Sequence, residues 1–209
     1  MKISPIKTID EVKTLYKFMI DRYNAEAREK VLIPFPLSET YTEMVEQVQS
    51  KEKLQFKATI GDDIAGFVTT SDKDKNDRDI YIQAIVVSSK YLKVGVGKVL
   101  LKYAEQKIKK ANYQTIKIKE REGSNMFYIK SGYTPYLYVY SKDAKAASKV
   151  RNNLLEGMEF AGEQEVNGVY ITKIDVLGEP VYKYKKYFAS LDDSISSQYI
   201  YEKNLGKKI

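Results

Sequence analysis

Neither cysteine nor histidine occurs anywhere in the 209 residues. Without cysteine there is no disulfide, no thiolate nucleophile and no thiolate metal site. Without histidine, Ser-His-Asp catalysis and imidazole metal ligation are excluded as well. Any acid–base chemistry must fall to Tyr, Asp, Glu, Lys, a chain terminus or water. Long apolar runs are missing too: the longest reach about eight residues, and crossing a bilayer as a helix takes roughly 20. The N-terminus, MKISPIKTIDEV, carries no apolar core of a secretory signal. The expectation is a cytoplasmic protein with no membrane partner.

What is present is a folded-protein composition, 43% hydrophobic and 30% charged. The length fits one large domain, or a medium domain with an appendage. The formal charge is +7 with a pI near 9.2. That balance favours an anionic ligand such as phosphate, a cofactor with several phosphates, or nucleic acid. The plainer explanation is a lysine-rich surface that keeps the chain soluble, since net charge speaks to steering rather than to a site.

Hydrophobic periodicity orders the elements. Lys2 to Ile6 reads as a strand, and Ile9, Val12, Leu15, Tyr16 and Met19 lie at helical spacing over residues 9–23. VLIPFPL breaks that helix, and Ser38 can cap a second one carrying Tyr41, Met44, Val45 and Val48. Leu54 to Ile60, a GDD turn and IAGFVTT form a hairpin, SDKDKNDRD a polar loop, and IYIQAIVV a third consecutive strand. YLKVGVGKVLLKYAEQKIKK supplies the next helix, with Val96, Val99, Leu100, Tyr103, Ala104 and Ile108 on one face. QTIKIKE, SNMFYIKS and YTPYLYVYS follow as strand, short helix and strand. Beyond about residue 140 the pattern predicts a helix closed by Gly157, a hairpin turning at Asn167-Gly168, a strand at VYKYKKYFAS and a last strand at SQYIYEKNL. A meander followed by strand–helix–strand crossovers implies a mixed sheet.

Chemistry concentrates at Leu92-Lys93-Val94-Gly95-Val96-Gly97-Lys98. A helix N-terminus offers unpaired N–H groups and partial positive charge, and glycine lets backbone approach a ligand closely. With no third glycine and no G-K-[ST], two familiar phosphate loops are excluded. Read with the strand before it, Val87-Ser-Ser-Lys-Tyr91-Leu-Lys-Val-Gly95-Val-Gly97 resembles the acetyl-CoA loop of the GNAT acetyltransferase superfamily. Some thirty residues on, Phe127-Tyr128-Ile-Lys-Ser-Gly132-Tyr133 resembles that family's second hallmark. The likeness spans roughly residues 1–140.

That resemblance implies an α+β fold with a mixed, mostly antiparallel central sheet flanked by helices. Residues 1–140 would form the acetyltransferase domain and 141–209 a small helix-plus-antiparallel-sheet appendage. It implies N-acetyl transfer from acetyl-CoA to a small-molecule or peptide amine, by direct attack in a ternary complex. Amides from Leu92 to Lys98 would hold the pyrophosphate, and backbone at Ile85, Val86 and Val87 the pantetheine arm. An N–H at Val87 would polarise the thioester carbonyl, and Tyr128 would protonate the departing thiolate, whose thiol pKa near ~8.5 asks little of an acid.

The chain also departs from the family pattern. Leu92 replaces the usual Arg or Gln, and Arg121 stands where an Asn often touches CoA. The strand position of a frequent general base is Tyr81, which leaves Asp79, Glu120 and Glu122 as carboxylate candidates, acting directly or through water. The resemblance places the acceptor pocket between Leu32–Leu37 and the strand near Tyr136 and Tyr138. Asp72, Asp74 and Asn76 imitate a calcium loop, but Asp77 and Gln83 stand where that loop needs Gly and Glu. In VYKYKKYF, alternation puts Tyr182, Tyr184 and Phe188 on one face and Lys183 and Lys185 on the other, a half-buried strand rather than a nucleic-acid surface. The alternatives to an enzyme are a non-catalytic CoA-sensing or protein-binding module and, less favoured, a basic nucleic-acid binder. The appendage can cover the pocket or mediate a homodimer.

Overall fold

The computed structural model describes residues 1–29, 37–50, 54–71, 78–119, 124–176 and 182–206. The described chain runs β1 (Lys2–Pro5), α1 (Ile9–Glu29), α2 (Leu37–Gln49), β2 (Phe56–Ile60), β3 (Asp63–Ser71), β4 (Asp79–Val87), α3 (Val96–Lys110), β5 (Thr115–Lys119), α4 (Asn125–Lys130) and β6 (Thr134–Ser141). It continues through α5 (Ala144–Asn152), β7 (Met158–Val166), β8 (Val169–Val176), α6 (Tyr182–Leu191) and β9 (Ser196–Asn204). The architecture is mixed, with largely antiparallel strands flanked by helices, as the residue patterns anticipated. The loop SDKDKNDRD from Asp72 to Asp77, and the turn LGEP, lie outside the described residues. Two compact units are present: residues 1–116 with 204–209, and residues 117–203.

In the first unit β1, β2, β3 and β4 pair antiparallel in sequence order. α1 begins in a capping box: Glu11 N–H donates to Thr8 Oγ1 at 3.2 Å and Thr8 N–H to Glu11 Oε2 at 3.1 Å. Its apolar stripe of Val12, Leu15 and Met19 packs with Met44 and Val48 of α2 onto Phe67, Ala84 and Val86. Tyr16 meets Tyr41 edge-on at 5.0 Å, fixing α1 against α2. The other sheet face carries α3, where Phe56 and Tyr103 stack edge-to-face at 5.1 Å. Val96, Leu100, Ala104 and Ile108 of α3 are buried as the spacing predicts, together with Leu101. Val99 is 45% exposed, so the apolar face is centred one residue further round than the sequence reading put it.

In the second unit the strand order is β9-β6-β8-β7, all antiparallel. Asn167 and Gly168 both have positive φ, 52° and 77°, the backbone a two-residue hairpin turn requires. Asp143 caps α5 by accepting from Ala146 N–H at 2.8 Å. VYKYKKYFAS is the one element of the wrong type. It is a helix, not a strand, because Tyr184, Tyr187, Phe188 and Leu191 recur at helical spacing and Phe188 is fully buried. Four residues of Tyr/Lys alternation fit either period, and only the continuation to Leu191 separates them.

Candidate functional site

β4 ends at Val87 with an ordered pattern of hydrogen bonds. Gly66 of β3 lies opposite Val87, and Ser88 N–H reaches Ala65 O at 2.9 Å. In an antiparallel ladder alternate residues turn their polar groups to opposite sides. Ser88 and Val86 therefore bond towards β3, while the backbone N–H groups of Ile85 and Val87 point away from it. Gly66 is required there: a Cβ would lie 2.5 Å from Val86 O and 3.2 Å from a Leu100 methyl carbon. The absence of that one carbon lets β3, the end of β4 and α3 close on one another. A glycine inside a strand is itself a sequence signal of close backbone approach, and the sequence reading passed over it.

The chain then makes one 3₁₀ turn, Ser89–Tyr91, and runs through Leu92 to Gly95 into α3. Lys93 and Gly95 both adopt left-handed backbone, φ 61° and 92°. Gly95 is the N-cap of α3 and offers no capping side chain, and no acidic residue occupies the first helical turn. The first intrahelical bond runs from Val99 N–H to Gly95 O at 3.1 Å. The start of α3, from Val96 through Gly97 to Lys98, thus keeps the donor-rich character of a bare helix end. Nothing lies within 4 Å of where a Gly95 Cβ would be, and Leu92 and Val94 are 43% and 69% exposed. Lys93 and Lys98 are exposed as well. These residues fit a polyphosphate.

A clasp on the turn that precedes the loop went unseen in the sequence. The Asp63 carboxylate, at the start of β3, accepts from Lys90 Nζ and from the Tyr91 hydroxyl at 2.9 Å. The Lys90 and Tyr91 hydrogen bonds hold Asp63 below the usual carboxylate pKa, and Asp63 in turn raises that of Lys90. The clasp pins the 3₁₀ turn that leads into the loop. Its partners are 27 and 28 residues apart, and nothing in the sequence links them.

Ile85, Val86, Val87 and Leu92 to Lys98 therefore come together on the first unit. Asp79 does not join them. It heads the nine-residue β4 that Val87 ends, eight residues or about 26 Å away at strand spacing. Glu120, Arg121 and Glu122 lie outside the described residues, as does most of Leu32–Leu37.

Tyr128 belongs to the second unit, on α4. It is 7% exposed, its ring 5.2 Å from Phe127, 6.1 Å from Tyr133 and 5.3 Å from Tyr201. α4 stops at a left-handed Gly132, φ 83°, and Lys203 Nζ donates to the Ser131 carbonyl at 2.8 Å. Tyr136 and Tyr138 flank Lys173, whose ammonium stands 3.7 Å from the Tyr136 ring centre and also pairs with Glu202. The Tyr138 hydroxyl donates to the same Glu202. Burial, then Asp175 and Glu202, push the Tyr136 pKa up. Among the described residues no helix is long and apolar enough to cross a membrane.

No curated protein matches the chain in sequence. In three dimensions it is similar to a GNAT-family protein from Desulfovibrio desulfuricans, with 10% identity, 98% of this chain and 99% of that one covered, and a TM-score of 0.53. It is also similar to the ribosomal-protein-S18-alanine N-acetyltransferase of Escherichia coli (14% identity, 100% and 96% covered, TM-score 0.48). A third is the PaiA N-acetyltransferase of Thermoplasma acidophilum in complex with coenzyme A (14%, 83% and 98%, 0.48). The family model of the GNAT acetyltransferase domain matches residues 21–142, more than half of the sequence. This chain belongs to the GNAT acetyltransferase family.

Proposed function

We propose that the protein is an N-acetyltransferase that moves the acetyl group of acetyl-CoA to an amine by direct attack in a ternary complex. The observation that carries this is the loop from Leu92 to Lys98, a left-handed backbone opening onto an uncapped helix start in a GNAT domain. The amides at the start of α3, with Lys93 and Lys98, bind the pyrophosphate. Backbone at Ile85, Val86 and Val87 takes the pantetheine arm, and the Val87 N–H, turned away from β3, steadies the oxyanion formed when the amine nitrogen attacks the acetyl carbon. The C–S bond then breaks, and Tyr128 supplies the proton to the thiolate. The products are CoA and the acetylated amine. With Asp79 at the far end of β4, the attacking ammonium loses its proton to water or to a carboxylate beyond that strand, such as Glu120.

Tyr81, in the strand position where a carboxylate base often stands, favours a second reading, a CoA-binding module without turnover. Calorimetry with acetyl-CoA and desulfo-CoA, alongside CoA release over polyamines, aminoglycosides, amino acids and peptide N-termini, separates the two. Binding with release on one amine class is the expected result, binding without release selects the second reading, and absence of binding overturns both. Tyr128→Phe keeps the aromatic packing. It should lower kcat by about 10²-fold with acetyl-CoA affinity unchanged. Unchanged turnover at every pH removes Tyr128 from the chemistry.

A further inference from the structure

Helix α4 carries Tyr128 and is six residues long. A helix that short does not hold itself together in water, where even about 12–15 residues are marginal, so its geometry is set by what packs on it. Within the second unit, β9 grips it at two places. Tyr201 is fully buried, its ring 5.3 Å from that of Tyr128 and tilted by 40°. Two residues on, and so on the same face of the strand, Lys203 Nζ donates to the Ser131 carbonyl at 2.8 Å. Ser131 is the C-cap of α4, an end where carbonyls lack intrahelical partners and the helix dipole is negative, so a lysine ammonium suits it. The same ammonium stands 5.2 Å from the Tyr133 ring centre and 3.7 Å from where a Gly132 Cβ would be.

The Tyr128 carbonyl accepts from Ser131 N–H at 2.9 Å and from Tyr133 N–H at 3.1 Å. Those bonds fix the backbone at Tyr128 and leave the direction of its side chain to the rings around it. Phe127 and Tyr133 belong to α4 and its exit and move with it. Tyr201 is anchored elsewhere, in a strand paired with β6 where it stands opposite Pro135. That strand, Ser196–Asn204, lies beyond residues 21–142 of the family match. The later part of the chain thus supplies a support for Tyr128 that its own motif cannot.

We infer that Tyr201 and Lys203 are positioning residues for Tyr128: β9 clamps α4 and holds the Tyr128 hydroxyl where its proton passes to the CoA thiolate once the C–S bond has broken. The inference rests on the reading of Tyr128 as the acid, but one of its two readouts is independent of that reading. Amide hydrogen exchange on the full chain compares wild type with Tyr201→Leu and Lys203→Met. Amides of residues 125–132 should exchange about tenfold faster in each variant, with the core of the first unit unchanged. Tyr201→Phe, which keeps the ring, should restore the protection. In turnover, Tyr201→Leu should lower kcat about tenfold with KM unchanged, yet lower it no further in a Tyr128→Phe background, because groups that act as a unit are not additive. A merely structural role lowers kcat alike in both backgrounds. That result, or unchanged exchange of the α4 amides in both variants, overturns the inference. Lys203→Met keeps the test open should Tyr201→Leu fail to fold. Absence of turnover on every amine, or unchanged turnover in Tyr128→Phe, defeats the acid reading and leaves exchange to decide whether β9 holds α4.

Discussion

At the scale of single residues, two glycines near the loop do different work, and their alanine variants should separate it. Gly95 has open space around its missing Cβ but a φ of 92°. Gly95→Ala meets no neighbouring atom, only a backbone conformation that an L side chain disfavours, and the exposed loop can relieve it by shifting: the KM for acetyl-CoA should rise while the thermal midpoint moves little. Gly66 has an ordinary φ but a Cβ site 2.5 Å from Val86 O. Gly66→Ala forces β3 and β4 apart, and should lower stability by about 1–3 kcal/mol in denaturant melts. Equal effects of the two variants on stability would refute this division. The Asp63 clasp adds a pH signature. Its pKa in the folded protein lies below the ordinary 3.8, so its contribution is complete above the unfolded value and is lost as pH falls through the folded one. The thermal midpoint of Asp63→Asn should lie below that of wild type near neutrality and converge with it in strong acid. A gap that widens on acidification contradicts the assignment.

At the scale of elements, legibility followed local information. The Asn167-Gly168 turn, the α3 stripe and the strand alternation of β2, β3 and β4 are set by neighbours in sequence, and each was readable from it. Where two periods fit the same few residues, as at Tyr182 to Lys186, reading failed and the helix α6 was missed. Tertiary burial of Phe188 chose the winner. Phe188→Ala should cost about 3–5 kcal/mol in urea unfolding, and exposed Lys186→Ala almost nothing; similar values for both would mean α6 does not pack through that face. The loop glycines of the first unit and Tyr128 of the second stood out as candidates because their motifs are contiguous in sequence. The Asp63–Lys90–Tyr91 clasp did not stand out, because only the fold sets its partners against one another.

At the scale of the whole molecule, the +7 charge and the absence of histidine act together. A polyanionic cosubstrate approaching a basic protein is steered, and steering is screened once the Debye length shrinks to about 8 Å at physiological ionic strength. The kcat/KM for acetyl-CoA should fall as salt rises from about 20 mM to about 300 mM, with kcat nearly constant. A flat kcat/KM would show that the lysines near the loop do not guide encounter. With no imidazole to titrate, the pH dependence of kcat/KM near neutrality should follow the acceptor's own amine rather than the enzyme.

One interior strand of the second unit, β6, has a practical consequence for protein engineering. β6 ends at Ser141, almost where the family likeness ends at residue 142, yet both its partners, β8 and β9, come from later in the chain. A gene trimmed to the matched segment would encode a strand stripped of both neighbours, with Leu137 and Val139, now fully buried, turned towards water. Such a product invites inclusion bodies, so affinity tags and truncations for expression trials belong outside residues 1–206, and a split at residue 140 calls for co-expression of the two halves.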